Sequence, residues 1–401
     1  MAIYQGRIFT HRILDLIPEL KDHVERVEEI YRTIRRTKQD HKKDGLDSNS
    51  QQAKPADTDQ TVRSSIAPDA DSQNESPPPI VDGVVYRELR VPPGINLPVA
   101  LTVLQDGGTL YLESGLYYVT EPLVIEKAVN LIGPLVGQAV VVCESEGWVT
   151  RVTQSTMFRA ERITFQHCGS RAANVVEIWG GIADIENCRF IGAVNEQATG
   201  RGGIGLLLFD VKARIIRCSA FWNEICGIQV AGEGDVTAGG NYCFGNGGGI
   251  CYADEAAGSI EWNNCYDNRC YGICMATTKR VKVSYNKCLG NGVGIEIAGR
   301  GEPTLRRNTC SFGEIGISYG GDSGGTAEEN TCEYNAYTGI LINNSAHPLL
   351  KKNRCSRNRC GVEYRDSAEG LAVENYVMDN SEASIVTSPN AHPELKDNVY
   401  N

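Results

Sequence analysis

Short alternations of apolar and polar residues recur at a fixed period along the C-terminal part of this chain. A typical segment is Gly294-Ile-Glu-Ile297, which follows an Asn-x-Cys triplet. The triplets begin at Asn241, Asn263, Asn286, Asn308, Asn330 and Asn353, and Asn375 and Asn398 continue the series without the cysteine. The leading asparagines are 22 or 23 residues apart. Alternation of period two predicts strands, and about 22 residues hold three strands of roughly 3–5 residues plus tight turns. The pattern therefore predicts one coil of a parallel β-helix per repeat.

A second asparagine row runs through the same repeats, three residues after the cysteine position. Its members are Asn246, Asn268, Asn291, Asn335, Asn358 and Asn380. A Gly-Ile or Gly-Val pair follows in each unit, and glycine suits a turn that needs positive φ or no side chain. We expect the asparagines to stack in ladders from coil to coil. A leucine-rich repeat has a similar period, but its Leu-x-x-Leu-x-Leu signature is missing from this sequence.

These motifs resemble the right-handed parallel β-helix repeats of the pectin-lyase-like superfamily. The Asn-Thr-Cys and Gly-Ile coils are similar to those of a bacterial group of parallel β-helix repeat proteins. They are also similar to the carbohydrate-binding and sugar-hydrolase type of β-helix found in some F-box proteins. The resemblance covers roughly residues 84–401 and implies an all-β fold, a single-stranded right-handed solenoid. It implies little about activity, because this fold carries lyases, hydrolases, epimerases and inert scaffolds.

The chain is expected to have three parts. Residues 1–36 form an N-terminal helix, since apolar residues from Ile13 to Ile34 alternate steps of four and three, as in a coiled-coil seam. This helix either lies on the β-helix or, the interpretation we favour, is a short zipper that joins copies into a homo-oligomer. Residues 37–83 form a disordered linker that is too polar to fold. Residues 84–401 form the β-helix, covered at its start by a short helix over Leu97–Leu104.

Charge and hydropathy limit the partners and the location. A formal net charge of −11 argues against nucleic acid as a partner. No apolar run reaches the length of about 18 residues that indicates a membrane span. The first residues lack the apolar region of a secretory signal, so we expect a cytoplasmic location.

Eight of the 15 cysteines fall at one position of the coil. They are Cys188, Cys218, Cys243, Cys265, Cys288, Cys310, Cys332 and Cys355. Their spacing of about 4.8 Å between coils would permit disulfides, but their Cβ atoms point the same way. Buried reduced thiols are therefore favoured over disulfides. Cys270 and Cys274 have no second pair that would complete a zinc site.

No catalytic motif emerges from the sequence. The Asn-Thr-Asp, Asp-Asp, His-Gly and Arg-Ile-Lys motifs of polygalacturonase-like enzymes are missing, and cysteine stands where the first would need aspartate. The charged residues before the asparagines alternate in sign between coils, from Arg306-Arg307 to Glu328-Glu329 and Lys351-Lys352, which indicates cross-strand pairs. We therefore expect no catalytic residues, no metal site and no cofactor.

Two features are candidates for ligand binding. Trp222, Tyr252, Trp262, Tyr266 and Tyr271 lie in three successive coils and could form an aromatic strip for sugar rings or a peptide, unless they pack singly. The step from Cys188 to Cys218 is 30 residues long, and the excess lies in a glycine-rich insertion over 192–203 that contains Glu196 and Arg201. Such an insertion either carries functional residues or lies where changes of sequence and length are tolerated.

Taken together, these patterns favour a non-catalytic β-helix that binds or scaffolds protein or carbohydrate. The alternative is a carbohydrate-active enzyme, namely a polysaccharide lyase, hydrolase or epimerase. A groove in which two acids and a base converge would favour the enzyme, and exposed aromatic rings on one face would favour binding.

Overall fold

The computed structural model describes residues 84–153 and 157–401, together with the strand pair Ile3–Tyr4 and Arg7–Ile8. The chain divides into two units, Met1–Ser76 and Pro77–Asn401. Arg7 and Ile8 pair antiparallel with Tyr4 and Ile3, so the helix predicted over residues 1–36 is wrong for these four residues, of which Ile3, Tyr4 and Ile8 are strand-favouring types. The rest of the predicted helix and the predicted linker lie outside the described residues.

The described part of residues 84–401 forms three long parallel sheets, and successive coils contribute neighbouring strands to each. Sheet 1 consists of Tyr86–Val91, Leu104–Leu112, Val129–Ile132, Phe158–Glu161, Ile182–Glu186, Lys212–Ile216, Asp235–Gly239, Ala257–Glu261, Lys282–Ser284, Thr304–Arg306, Thr326–Glu328, Leu349–Lys351, Leu371–Val373 and Glu394–Lys396. Sheet 2 consists of Gly115–Val119, Ala139–Cys143, Ile163–His167, Arg189–Ile191, Ser219–Phe221, Tyr242–Phe244, Asn264–Tyr266, Lys287–Leu289, Thr309–Ser311, Thr331–Glu333, Arg354–Ser356, Tyr376–Val377 and Val399–Tyr400. Sheet 3 consists of Leu123–Ile125, Gly147–Thr153, Ala173–Trp179, Ile204–Phe209, Cys226–Ala231, Gly248–Asp254, Tyr271–Thr277, Val293–Ile297, Ile315–Tyr319, Thr338–Ile342, Cys360–Tyr364 and Ala383–Thr387. The predicted parallel β-helix is confirmed.

The core is a column of identical positions stacked in register. Cys310 lies beside Cys288 and Cys332 in sheet 2, in a column of six buried cysteines from Cys243 to Cys355. The prediction that Cys188 and Cys218 share this position is wrong, because Ala220 pairs with Cys243, which places Cys218 at the position of the ladder residue Asn241. Both are nevertheless buried. All 15 cysteines are free thiols. Burial raises the pKa of the Cys188 thiol to about 12, so it stays protonated at neutral pH. The inward-facing strand positions of the other two sheets complete the core mainly with Ile, Val, Leu and Ala, and sheet 3 adds the buried rings of Tyr252, Tyr319 and Tyr364.

The predicted asparagine ladders form two of the corners. Asn308 donates through Nδ2 to the Val283 carbonyl and to Oδ1 of Asn330, both at 2.9 Å. The residue before each ladder asparagine has φ near +55°, for example Arg307 at +53° and Glu329 at +55°, so its side chain leaves the coil outward. Salt bridges link these outward charges between coils, such as Arg307 to Glu329 at 2.6 Å. The predicted pairing of opposite charges is thus present.

A short helix, α1 (Leu97–Val103), packs at the N-terminal end of the solenoid. Asn96 caps it by accepting from the Val99 N–H at 3.2 Å, and Pro98 lies in its first turn. Leu97, Ala100 and Leu101 are its buried residues, so it covers the first coil as predicted. In the described residues no helix has the length and apolar character needed to cross a membrane.

The insertion forms a small antiparallel hairpin of Asn195–Glu196 and Arg201–Gly202. Before it, Val194 pairs with Ala173, the first residue of a sheet 3 strand, through two backbone hydrogen bonds of 2.9 and 3.1 Å. The hairpin is therefore fixed at the beginning of the interior sheet 3 strand Ala173–Trp179.

Candidate functional site

The five aromatic residues of the predicted strip do not share one exposed face. Trp222, Tyr252 and Tyr266 are buried, with at most 4% of their surface exposed. Tyr252 occupies an inward position of its strand, and its hydroxyl donates to the Val236 carbonyl at 2.8 Å. Tyr266 donates to Oδ1 of Asn264 at 2.7 Å, and the Trp222 ring packs near that of Phe221. These three rings cannot stack on a ligand at the surface.

Tyr271 is half-buried within a group of thiols on the outer side of sheet 3. Its ring lies over Gly248, where any Cβ would come within 2.1 Å of the ring. Cys226, Cys251 and Cys274 surround it and form a cluster separate from the core. Burial raises the pKa of Cys226 well above its ordinary value, so this thiol is a packing group at neutral pH.

Trp262 is the one member of the strip that is largely exposed, at 62%. It occupies the corner between sheets 1 and 2 with φ of +60°, which directs its side chain away from the core. Tyr285 stacks on one face of the indole, with ring centroids 4.4 Å apart and planes 2° from parallel.

Glu196 and Arg201 lie opposite each other in the insertion hairpin, and both are exposed. Glu196 accepts a hydrogen bond of 2.5 Å from the Thr199 hydroxyl within the same hairpin. The strand Arg201–Gly202 lies beside the sheet 3 strands Gly147–Thr153 and Ala173–Trp179. The structure therefore places these two residues beside the beginning of two interior strands of sheet 3 and away from Trp262.

The outer side of sheet 3 next to this hairpin carries a cluster that the sequence did not reveal. We call it the tryptophan patch, and it consists of Trp148, Arg151, Asn174, Glu177, Trp179 and Phe209. Its members come from three neighbouring strands, which place Arg151 beside Glu177 and Trp179 beside Phe209. Along its central strand the patch extends from Asn174 to Trp179, five residue steps or about 17 Å.

Glu177 organises the tryptophan patch. Its carboxylate accepts from Nε and Nη2 of Arg151 at 2.7 and 2.6 Å, and from Nδ2 of Asn174 at 2.8 Å. The indole N–H of Trp179 donates to the same carboxylate at 3.2 Å. Only 5% of the Glu177 side chain is exposed, so the carboxylate is held by partners that replace its hydration.

Aromatic rings and one arginine form the surface above this carboxylate. The Arg151 guanidinium carbon lies 3.1 Å from the centroid of the Trp148 ring, a cation–π contact. Trp179 is 39% exposed, and its ring centroid lies 4.8 Å from that of Phe209. Since the rings are fixed on rigid strands and by Glu177, the patch offers a preformed apolar surface with polar groups at its edge.

Acid–base groups suited to catalysis do not converge on the patch. Both oxygens of Glu177 already accept hydrogen bonds from Arg151, Asn174 and Trp179. Burial lowers the pKa of His167, whose Nε2 lies 3.2 Å from the Ser145 carbonyl. Within residues 84–153 and 157–401, no three or more His, Cys, Asp or Glu side chains are placed to hold a metal ion.

Comparisons with known proteins agree with the architecture. Residues 149–310 and 293–401 match the protein family described as a right-handed β-helix region. No relative was found among curated protein sequences.

Three solved structures illustrate the similarity in fold. The periplasmic alginate epimerase AlgG superposes with a TM-score of 0.52 at 15% identity, covering 80% of this chain and 79% of its own. The Dettilon tailspike protein gives a TM-score of 0.56 at 13% identity, covering 72% of this chain and 63% of its own. Tailspike protein 3 of bacteriophage CBA120 gives 0.51 at 10% identity, covering 73% of this chain and 53% of its own. At these identities the likeness concerns the fold alone.

Proposed function

Since this chain belongs to the right-handed β-helix family, we propose that it is a non-catalytic module that binds carbohydrate through the tryptophan patch. The observation that carries the proposal is the exposed Trp179 ring, held in place by its hydrogen bond to the buried Glu177 carboxylate. Pyranose rings present C–H groups on one face and hydroxyls at their edge. An aromatic platform with guanidinium and amide donors beside it suits both parts of such a ring.

The charge of the patch favours a neutral or weakly charged glycan. The Arg151 charge is balanced by Glu177 at 2.6 Å, so the pair leaves no net positive charge for an acidic ligand. The chain as a whole carries a formal charge of −11, which disfavours strongly acidic polymers. AlgG, with a similar fold, is an epimerase of alginate, so alginate belongs among the ligands to be tested.

The non-catalytic part of the proposal rests on Glu177. Hydrogen bonds from Arg151, Asn174 and Trp179 surround its carboxylate, which is 5% exposed, and this suits a group that holds its neighbours in place better than one that takes a proton from a ligand. Its role in the proposal is to fix Arg151 and Trp179. A cytoplasmic location remains our proposal from the sequence.

A glycan microarray probed with the full chain tests the function, with neutral oligosaccharides, chitin fragments and alginate represented. We expect binding to neutral glycans and about a tenfold or greater loss with Trp179→Ala, because the stacking surface is removed. Tyr376→Ala is a matched control, since Tyr376 is 37% exposed and lies on sheet 2. Equal binding by the Trp179 variant would contradict the site, and release of shorter products from a bound glycan would contradict the non-catalytic role.

A further inference from the structure

At the corner between sheets 1 and 2, one outward-facing side chain per coil forms a column along the solenoid. This column is interrupted at one coil, where the residue is glycine. Arg217, Gly240 and Trp262 occupy equivalent places in three successive coils, with φ of +53°, +63° and +60°. Backbone bonds fix their stacking, from Arg217 N–H to the Gly239 carbonyl at 3.0 Å and from Gly240 N–H to the Glu261 carbonyl at 3.1 Å. A side chain therefore projects on either side of Gly240, and none projects from it.

We call this gap the glycine slot, with Gly240 as its floor and Arg217 and Trp262 as its walls. A Cβ at Gly240 would have only Cγ of Arg217, at 3.7 Å, within 4 Å. The walls are two coil spacings apart, or about 9.6 Å. On the side of sheet 1 the slot is narrowed by Ile216. The Cδ1 atom of Ile216 would lie 3.0 Å from a Cβ placed on Gly239.

The spacing of the coils matches the spacing of stacked rings. Trp262 and Tyr285 lie one coil apart, and their rings stack at 4.4 Å. A ring placed above Gly240 would lie at the same spacing on the other face of Trp262, which is 62% exposed. Such a ring would continue the column between Trp262 and Arg217.

The charges around the slot are paired. The Arg217 guanidinium binds Glu186, and Glu261, next to Trp262, binds Lys282 at 2.5 Å. No net charge is left to select an ionic ligand, while these exposed groups can exchange hydrogen bonds with hydroxyls.

We propose that the glycine slot binds one neutral pyranose ring, with the apolar face of the sugar stacked on Trp262. This site is separate from the tryptophan patch and shares with the proposed function only the class of ligand. A peptide strand is disfavoured because the backbone N–H groups of Gly240 and Trp262 already donate within the coil. A single stacked ring buries little area, so affinity in the millimolar range is expected.

The test follows the indole N–H resonance of Trp262 in the full chain, assigned with Trp262→Phe, during titration with methyl glycosides of glucose, galactose and mannose. Saturable shifts with at least one of them are expected. Gly240→Asn should weaken this binding by about tenfold or more, because the asparagine side chain fills the slot. Asparagine is compatible with this backbone, since Asn187 has φ of +54° at the same corner.

Gly290→Asn is the matched control, because Gly290 has φ of +69° and lies outside the slot. It should leave the titration unchanged, and so should Trp179→Ala, which separates this site from the patch. No saturable shift with any glycoside, or an equal response of the Gly240 variant, would overturn the proposal. A stronger response to N-acetyltyrosine amide than to every glycoside would also overturn it in favour of an aromatic peptide side chain.

Discussion

Replacing Asn308 with leucine should destabilise the solenoid at one identifiable point. The Asn308 side chain takes part in four hydrogen bonds and is 1% exposed. Its Oδ1 accepts from the backbone N–H of Asn286 at 3.0 Å, and its Nδ2 donates to the Val283 carbonyl at 2.9 Å. Leucine makes none of these bonds, so one buried N–H and one buried carbonyl lose a partner. At about 1–3 kcal/mol for each buried group left unpaired, partly offset by relaxation, the cost is about 2–4 kcal/mol.

The assay combines urea unfolding with amide hydrogen exchange. The urea midpoint should fall, and the amide of Asn286 should lose more protection than amides several coils away. Asn398→Leu is the control, because Asn398 ends the described ladder, where water can replace the lost bonds, and its cost should stay below about 1 kcal/mol. Equal midpoints for the Asn308 variant and the parent would refute the reasoning.

Three further predictions concern ionisation, thiols and assembly. Burial raises the pKa of Asp267 to about 6, because the folded state favours the neutral carboxyl. The contribution of this group to the free energy of unfolding is therefore fully present below its ordinary pKa of 3.8 and is lost as the pH rises through 6. Asp267→Asn should therefore add about 2–3 kcal/mol to the free energy of unfolding near pH 8 and almost nothing near pH 4, and a gain of the same size at both would contradict the assignment. A thiol reagent should modify the exposed Cys270 first in native protein, and it should titrate all 15 cysteines once the protein is denatured without a reductant. A titre near zero in the denatured protein would mean disulfides and would remove support for a cytoplasmic location. If the sequence between Leu20 and Ile34 forms a zipper, Val24→Asp with Val27→Asp should convert an oligomer to a monomer by light scattering, and a monomeric parent at micromolar concentration would exclude it.

Most of the solenoid could be predicted because the same residue type has the same structural role in each coil of the repeat. The asparagine rows predicted both ladders, and the one interruption is visible in the sequence as well. Gly313 takes the place of an asparagine, and its N–H donates to Oδ1 of Asn335 at 3.2 Å. A Cβ there would lie 2.3 Å from the Asn291 carbonyl, so the close approach itself requires glycine.

The repeat position predicts the direction of an aromatic side chain but not its exposure. Trp262 and Trp222 both precede ladder asparagines with φ of +60° and +54°, yet Trp262 is exposed and Trp222 is buried. Tyr252 follows Ile250 by two residues and therefore shares its inward direction. The predicted aromatic strip grouped these residues because they are close in the sequence. Side chains along a strand alternate between its two faces, and this alternation separates them.

The tryptophan patch was hidden because its coils depart from the repeat. Trp148 and Trp179 lie before the Asn-x-Cys series begins, where no fixed period gives the strand register. The contact of Arg151 with Glu177 spans 26 residues, and only the register of their two strands places them side by side. The available signals were two tryptophans close to the insertion and an arginine between them.

Footprinting of the bound complex tests the central claim most directly. The full chain is exposed to hydroxyl radicals with and without the neutral glycan that binds best on the array, and oxidation is measured by mass spectrometry at each aromatic residue. Binding at the tryptophan patch predicts protection of Trp179 and Phe209 on sheet 3, with Tyr376 and Phe312 oxidised equally in both samples. Protection elsewhere with Trp179 unchanged would contradict the account.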